Sequence, residues 1–324
     1  MKRFIVTITT LALSALANPA SSQTYPARPI TIIVPFGPGG TGDLAARVLA
    51  SSAQKYLNET VVVENKSGAG GVLGSKYVVD SPPDGYKLLL ARVGPEAIAP
   101  ALDPSTTYKW NDFTFLGMLE QDPFVCIVSG KSPIRTVADL IERLKKSPGK
   151  FSYASTAVID ATVVFPEEIF SHAGLRPDVA LKVPYRNGVD TVTAILGGQV
   201  DFACNGFSLY AGGLSSGQLH GLVVSTPTRV PQAPDIPTGR ELGMNGLEEV
   251  TGWSALYGPP GLPQNVINKW ATVLEKLRDD PEWQARVKAH LSLPAIMTGP
   301  EARSFAENQV NLYKKMAPTL GIKN

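Results

Sequence analysis

Residues 30–43 read ITIIVPFGPGGTGD, an apolar run that ends in a glycine-rich turn. Residues 44–56 then space their apolar side chains as a helix does. A strand that ends in such a turn and continues as a helix directs free backbone N–H groups and the positive end of the helix dipole at one point. The stretch therefore predicts a binding site for an anion such as a carboxylate or a phosphate.

Short β-branched runs alternate with amphipathic stretches from this turn onward. The predicted strands are 30–34, 60–63 and 86–90, and the predicted helices are 44–56 and 72–79. This βαβαβ order requires parallel strands with crossover helices. The ligand edge of such a sheet lies at the carboxyl ends of its strands, where the turn after residue 34 is placed.

A second α/β series begins near Phe124. It predicts helices at 137–145, 162–172 and 189–196 and strands at 151–154, 181–183 and 200–203. Four prolines within residues 226–237 predict an irregular segment that returns to the first series. Beyond it we predict a strand at 254–257 and helices that begin near Pro263, Pro281 and Pro300.

The chain has 324 residues, enough for two lobes with a core each. Hydrophobic residues make up 44% and charged residues 18%, which excludes a disordered chain and a membrane-filled fold. We predict a first lobe at 23–123 and 228–324 and a second lobe at 124–227. Two crossings between them would form a hinge.

The first residues have the pattern of a cleaved export signal at 1–22. A basic start at Lys2 and Arg3 precedes an apolar stretch at 4–17, with small residues around Ala20. The alternative, a membrane anchor, needs about 20 apolar residues, and this run is shorter and interrupted by Thr and Ser. Without the signal the chain has 28 basic and 28 acidic residues, whereas a nucleic-acid-binding protein carries a basic surplus.

Cysteines and histidines give no metal-ligand spacing, so we predict no metal site. The histidines, His172, His220 and His290, are scattered. Cys126 and Cys204 each lie in an apolar segment, and we interpret them as two buried thiols, with a disulfide as the alternative in an oxidising compartment.

Gly37, Gly39 and Gly42 have the spacing of a dinucleotide-binding fingerprint, and Glu64 follows Gly42 by 22 positions. This pattern makes an NAD-dependent oxidoreductase an alternative function. Pro35 and Pro38 oppose it, because they stiffen the turn and remove N–H donors. A tight turn without a ligand is a third interpretation.

Seven segments of the chain, in the same order, resemble one family. They are YPARPI at 25–30, VPFGPGG at 34–40, VVVENKSGAGG at 61–71, PDGY at 83–86, VPYR at 183–186, LGGQVD at 196–201 and GPPGLP at 258–263. The resemblance is to the substrate-binding proteins of tripartite tricarboxylate transporters, the Bug family of periplasmic receptors. It covers essentially the whole chain after the signal.

The resemblance implies a two-lobed periplasmic binding protein of the Venus-flytrap type that closes on a small organic acid. It implies delivery to a membrane permease, no cofactor, no catalytic residue and a monomeric chain. The first turn is the family's carboxylate clamp, which assigns ligand contacts to Phe36, Gly37, Gly40 and Thr41. Asp43 is expected to cap the helix rather than touch the ligand.

In the second lobe the resemblance assigns ligand contacts to five residues. Ser155 and Thr156 keep hydroxyls, although the glycines and the histidine usual in the family are absent. Tyr185, Asn187 and Gly188 form the next turn, where Asn187 either contacts the ligand or tolerates a left-handed backbone.

Two further positions depart from the family's usual residues. Asn205 stands where an aspartate is usual, which disfavours an amino-acid ligand. Arg92, at the end of the third strand, is assigned a bidentate bond to a carboxylate. The alternative is an exposed arginine, or one that forms a salt bridge between the lobes, for example with Glu96 or Glu120. We therefore predict a solute receptor; a receptor that serves signalling rather than transport is a further alternative.

Overall fold

Eleven strands form two separate sheets in the computed structural model, which describes residues 25–322. The predicted export signal at 1–22 lies outside the described residues. The strands are β1 (Ile30–Val34), β2 (Val61–Asn65), β3 (Lys87–Arg92), β4 (Thr114–Asp122), β5 (Phe124–Ser129), β6 (Ser152–Ser155), β7 (Leu181–Pro184), β8 (Phe202–Gly206), β9 (Leu219–Val224), β10 (Gly252–Gly258) and β11 (Leu293–Thr298). The first sheet has the order β11-β4-β10-β3-β1-β2, and the second has the order β7-β6-β8-β5-β9.

Helices flank both sheets, which makes each half of the molecule an α/β lobe. They are α1 (Thr41–Leu57), α2 (Val72–Val79), α3 (Ala99–Leu102), α4 (Val137–Lys146), α5 (Ala161–His172), α6 (Gly188–Leu196), α7 (Phe207–Ser215), α8 (Gln264–Arg278), α9 (Pro281–Ala289) and α10 (Gly299–Met316). None of the helices between residues 25 and 322 combines the length and the apolar character needed to cross a membrane.

Both sheets are mixed. Strand β1 pairs in parallel with β2 and β3, as the βαβαβ order predicts, whereas β10 pairs antiparallel with both β3 and β4. Successive residues of β1 pack on opposite faces of the first sheet. Ile32 packs with α1, α8 and α9, and Ile33 packs into the core on the other face of the sheet. The carboxyl ends of β1 and β3 thus meet at one edge of the first sheet.

The chain passes from the first sheet to the second at Pro123, between β4 and β5. It regains the first sheet at Gly252, the first residue of β10. Within the segment between β9 and β10, Val230 and Ile236 pack into the core of the second lobe. The proline-rich residues 226–237 therefore lie partly against the second sheet, and the boundary at 227/228 stays a prediction.

Cys126 and Cys204 form a disulfide bond. They lie directly opposite each other on the antiparallel strands β5 and β8, and each is 1% exposed. The prediction of two thiols is wrong and its alternative is correct. The pairing depends on the register of two strands 78 residues apart, which neither local segment reveals.

Candidate ligand-binding site

A cavity of about 70 Å³ lies between the two lobes. Nine of the eleven predicted site residues line it: Phe36, Gly37, Gly40, Thr41, Arg92, Thr156, Asn187, Gly188 and Asn205. The first five belong to the first lobe and the other four to the second. The cavity therefore lies where the carboxyl ends of strands from both sheets face each other.

Ser155 and Tyr185 do not line this cavity. Ser155 ends β6 and is fully buried, and its hydroxyl has no hydrogen-bond partner in the part of the chain that the structure describes. Tyr185 donates its backbone N–H to the Ser155 carbonyl over 2.8 Å and packs against the second lobe's core. Successive side chains of a strand point to opposite faces of the sheet, and the sequence around Ser155 and Tyr185 did not show which of them would face the cavity.

The cavity has eight further lining residues that the sequence did not assign to a carboxylate site. They are Gly42, Val93, Gly94, Phe124, Asp160, Ala161, Thr162 and Leu209. A signal for Asp160 existed, because an aspartate directly before a helical stretch is a typical N-cap. The apolar members carried no signal that separates them from core residues.

The N-terminus of α1 lies at the cavity without a side-chain cap. Gly40 is the N-cap residue, and no side chain bonds the first N–H groups of the helix. Asp43 instead accepts the Gly39 N–H over 2.9 Å and pairs with Arg47. Burial opposes ionisation of Asp43, but the bonds from Arg47, Gly39 and Asn65 outweigh it and lower its pKa. Asp43 thus stabilises the turn, while the helix N-terminus stays open to a ligand.

Arg92 forms part of the cavity wall and is 6% exposed. Its guanidinium donates to the Ser254 hydroxyl over 2.6 Å and to the Thr41 hydroxyl over 2.8 Å. Arg92 forms a salt bridge, as one alternative predicted, but its partner is Asp122, at 3.4 Å, and neither Glu96 nor Glu120. Because the Thr41 oxygen accepts from Arg92, the hydroxyl proton of Thr41 is free to donate elsewhere.

The carboxyl groups behind Arg92 are buried. Burial raises the pKa of Asp122, and the Arg92 guanidinium and the Ser208 donors oppose that rise. Burial likewise raises the pKa of Glu120 to about 7 and that of Glu96 to about 8. Glu96 bonds the Ser75 hydroxyl and accepts the Arg92 backbone N–H over 2.6 Å.

In the second lobe, helices α5 and α6 also begin at the cavity, but each has a side-chain cap. Asp160 accepts the Thr162 N–H over 2.9 Å. Asn187 accepts the Asp190 N–H over 2.9 Å, and its φ of −157° is extended. The left-handed alternative for Asn187 is therefore wrong, and the oxygen of its side chain binds its own helix.

The two lobes approach each other closely around the cavity. A Cβ atom on Gly37 would lie 3.7 Å from the amide nitrogen of Asn187, across the cleft. Within the second lobe, a Cβ atom on Gly188 would lie 3.3 Å from the amide nitrogen of Asn205. Since the Asn205 oxygen accepts the Gly206 N–H, the amide nitrogens of both asparagines remain as donors. The two lobes are thus close together at Gly37 and Asn187, and amide donors lie on the second-lobe face of the cavity.

The acidic residue of the dinucleotide fingerprint, Glu64, does not lie at this cavity. Glu64 is exposed on β2 and lies 3.8 Å from Lys66, and it does not line the cavity. In addition, the Gly39 N–H is already bonded to Asp43. The residues of the dinucleotide fingerprint therefore do not lie together around one ligand-binding site.

Comparisons with known proteins agree on one family. The sequence model of the tripartite tricarboxylate transporter family receptor, TctC, matches residues 45–322. BugT of Bordetella pertussis is 32% identical over 317 residues, which cover 97% of this chain and 95% of BugT.

Solved structures show the same architecture. The periplasmic binding protein BugD is 32% identical and superposes with a TM-score of 0.84 over 92% of this chain and 99% of BugD. An R. palustris protein solved with adipate is 24% identical, with a TM-score of 0.86 over 92% of this chain and 99% of that protein. At that identity the likeness shows the fold alone.

Proposed function

Because this chain belongs to the tripartite tricarboxylate transporter receptor family, we propose that it is a periplasmic receptor that binds a small carboxylate between its lobes. It delivers this ligand to a membrane transporter of the tripartite tricarboxylate type. The signal-like residues 1–22 support export, and the family's members are solute receptors rather than enzymes.

One observation carries the proposal: the uncapped N-terminus of α1 and the Arg92 guanidinium meet at one cavity. An uncapped helix N-terminus presents unbonded N–H groups and a partial positive charge. Arg92 and the Thr41 hydroxyl add donors from the side. A carboxylate is the small anion whose two oxygens match such a set of donors.

The proposed mechanism is a population shift between open and closed forms. A carboxylate held by the first lobe is reached by second-lobe donors only when the lobes close, so binding stabilises the closed form. A hydrogen bond to a charged group contributes about 1.5–3 kcal/mol, and micromolar affinity needs about 8 kcal/mol. Several converging donors are therefore required, and the cavity holds them on both faces.

Thermal-shift screening of the mature protein with organic acids, NAD and NADH tests binding, followed by calorimetry on each stabilising compound. A ligand at about 100 times its Kd adds about 2.7 kcal/mol of stability, which a melting curve resolves. We expect organic acids to stabilise the protein and the dinucleotides to have no effect. Stabilisation by NAD without any organic acid would overturn the proposal.

Thr41→Val provides the site-specific arm of this test. It removes the hydroxyl that bridges Arg92 and the cavity while keeping the side-chain shape. We expect the affinity for the acid to fall about fivefold to tenfold, the effect of one lost hydrogen bond. Thr272→Val is the matched control, because Thr272 is exposed on α8 and bonds only its own helix. Delivery is tested by uptake of the same acid, at a concentration near the wild-type Kd, in cells that lack this chain. Wild type should restore uptake, and Thr41→Val should restore it only in part.

A further inference from the structure

We propose that the cavity is built for a single carboxylate: its ligand is a monocarboxylic acid whose remaining part donates a hydrogen bond to Asp160. A hydroxyl, an amide or an ammonium group meets this requirement, and a second carboxylate does not. The inference rests on the receptor function proposed above and narrows its ligand class.

The cationic charge at the cavity suffices for one anion. Arg92 is the one cationic side chain among the lining residues, all of which lie in the described part of the chain. Asp122 already opposes its charge at 3.4 Å. Ser254, Thr41 and Asp122 use three of the five guanidinium N–H groups, which leaves two for a ligand. These two, the Nε–H and one Nη1–H, lie on different edges of the guanidinium, so Arg92 contributes single bonds and one positive charge to a ligand.

The helix N-termini at the cavity also indicate a single anion-binding site. Four helices of the described chain begin at the cavity, and α5 and α6 have their first N–H groups bonded by Asp160 and Asn187. The other two, α1 and the short helix Gly94–Ile98, have no side-chain cap, and both begin in the first lobe beside Arg92. Because the N-terminus of α1 adjoins Arg92 through Thr41 and Gly94 follows Arg92 by two residues, these donors form one anion-binding site rather than two.

Asp160 places a carboxylate on the second-lobe face of the same cavity. It is 5% exposed, and no cationic side chain of the described residues lies within 4.0 Å of it. The Thr162 N–H, the Thr162 hydroxyl and the Thr156 hydroxyl donate to it. Burial raises the pKa of Asp160, and the Thr156 and Thr162 donors oppose that rise. In its ionised form the carboxylate has about four acceptor positions, so one remains for a ligand donor.

A dicarboxylate would bring its second negative charge into this face. That charge would meet Asp160 and the oxygens of Thr156 and Thr162. The amide nitrogens of Asn187 and Asn205 also line this face, but they are neutral, so no second cation among the lining residues offsets the charge. A hydroxyl or ammonium group at the same point would instead donate to the remaining acceptor position of Asp160. The difference in charge and hydrogen bonding therefore separates the two ligand classes.

Calorimetry with two acid series of matched chain length tests the inference. One series consists of ω-hydroxy and ω-amino monocarboxylic acids, and the other of the α,ω-dicarboxylic acids. We expect the best member of the first series to bind at least about tenfold more tightly than the dicarboxylate of the same length. A dicarboxylate that binds as tightly as both of its matched partners would overturn the inference.

Two variants address Asp160 without removing the cap of α5. Asp160→Asn and Asp160→Ser both keep a good N-cap residue and remove the negative charge. We expect either to strengthen dicarboxylate binding and to reduce the discrimination about tenfold. Asp280→Asn is the matched control, because Asp280 caps α9 away from the cavity, and it should leave the discrimination unchanged.

The outcomes separate this inference from the function on which it rests. If acids bind and the dicarboxylates win, the receptor function stands and the single-carboxylate inference falls. If the discrimination is present but survives Asp160→Asn and Asp160→Ser, the assigned role of Asp160 is wrong. If no acid of either series binds, the receptor function fails and the inference fails with it.

Discussion

Asp122 of the first lobe caps a helix of the second lobe. Its carboxylate accepts the Ser208 N–H over 3.3 Å and the Ser208 hydroxyl over 3.2 Å. Ser208 lies in the first turn of α7, whose N-cap residue Gly206 has no side chain to serve this purpose. Because Asp122 also pairs with Arg92, one buried carboxylate connects the cavity wall to the facing lobe.

We predict that Ser208→Ala weakens ligand binding by promoting opening of the lobes. The variant loses one of the two bonds to Asp122, and a hydrogen bond contributes about 0.5–1.5 kcal/mol, so the Kd should rise about twofold to tenfold. Stopped-flow measurements should place most of this change in the dissociation rate, since closure holds the ligand. Ser215→Ala, at the exposed opposite end of α7, is the control. An unchanged dissociation rate would contradict the connection.

Arg92→Lys tests the forked guanidinium. Lysine keeps the positive charge near Asp122, but a single ammonium group does not reach Ser254, Thr41 and a ligand carboxylate together. We expect the affinity for the acid to fall at least about tenfold, since each lost bond to a charged group costs about 1.5–3 kcal/mol. The readout is calorimetry, with Arg28→Lys at an exposed pair with Asp84 as the control. Wild-type affinity in Arg92→Lys would exclude Arg92 from ligand binding.

Glu96 makes the stability of the protein depend on pH. Burial raises its pKa from 4.5 to about 8, so between these values the folded chain holds a proton that the unfolded chain releases. This contribution to stability is complete below about pH 4.5 and is lost as the pH rises through about 8. The loss per pH unit reaches about 1.4 kcal/mol for one proton.

Glu96→Gln should remove that dependence, because the amide imitates the protonated carboxyl. Its oxygen accepts the Arg92 N–H, and its nitrogen donates to Ser75. Urea unfolding at acidic pH should give equal free energies for variant and wild type, and at alkaline pH the variant should be more stable. Glu142→Gln, on the exposed surface of α4, should show no such difference. A constant offset at every pH would contradict an ionisation of Glu96.

The disulfide should stabilise the second lobe. Cys126 and Cys204 close a loop of 78 residues, and a native disulfide contributes about 2–4 kcal/mol, chiefly by restricting the unfolded chain. We predict that the double variant Cys126→Ala/Cys204→Ala unfolds at a lower urea concentration. A reducing agent should lower the melting temperature of wild type and leave that of the double variant unchanged. Equal sensitivity of the two proteins would mean that the bond adds no stability.

Local patterns were sufficient to predict the first part of the fold. Strands β1 to β3 and their two helices have distinct periodicities, and parallel pairing follows from their order. Strands β4, β9 and β11 were missed. Strand β4 in particular ends in Glu120 and Asp122, charges that are acceptable in a buried strand because Arg92 lies beside them. That compensation comes from a residue 30 positions away and is not visible in a sequence window.

The candidate site, like the fold, could be predicted from the sequence only in part. Turns that follow parallel strands gather at one sheet edge, so nine assigned residues fall around one cavity. The partner of Arg92, the direction of Ser155 and the pairing of Cys126 with Cys204 depend on strand register between distant segments. Register is set by packing of whole sheets, and no single motif contains it.

The order of the strands in the two sheets determines which lobe can complete its sheet first. Every strand of the second sheet lies between Phe124 and Val224, so a chain that has emerged as far as α7 and β9 already contains that sheet complete. The first sheet is different, because β10 is inserted between β3 and β4 and arrives more than a hundred residues after them. Until Gly258 has emerged, β3 has an open edge and Arg92 lacks Ser254. The first lobe, which contains the beginning of the chain, is thus the last to complete its sheet. Its anion-binding site is completed by Ser254, from the C-terminal part of the chain.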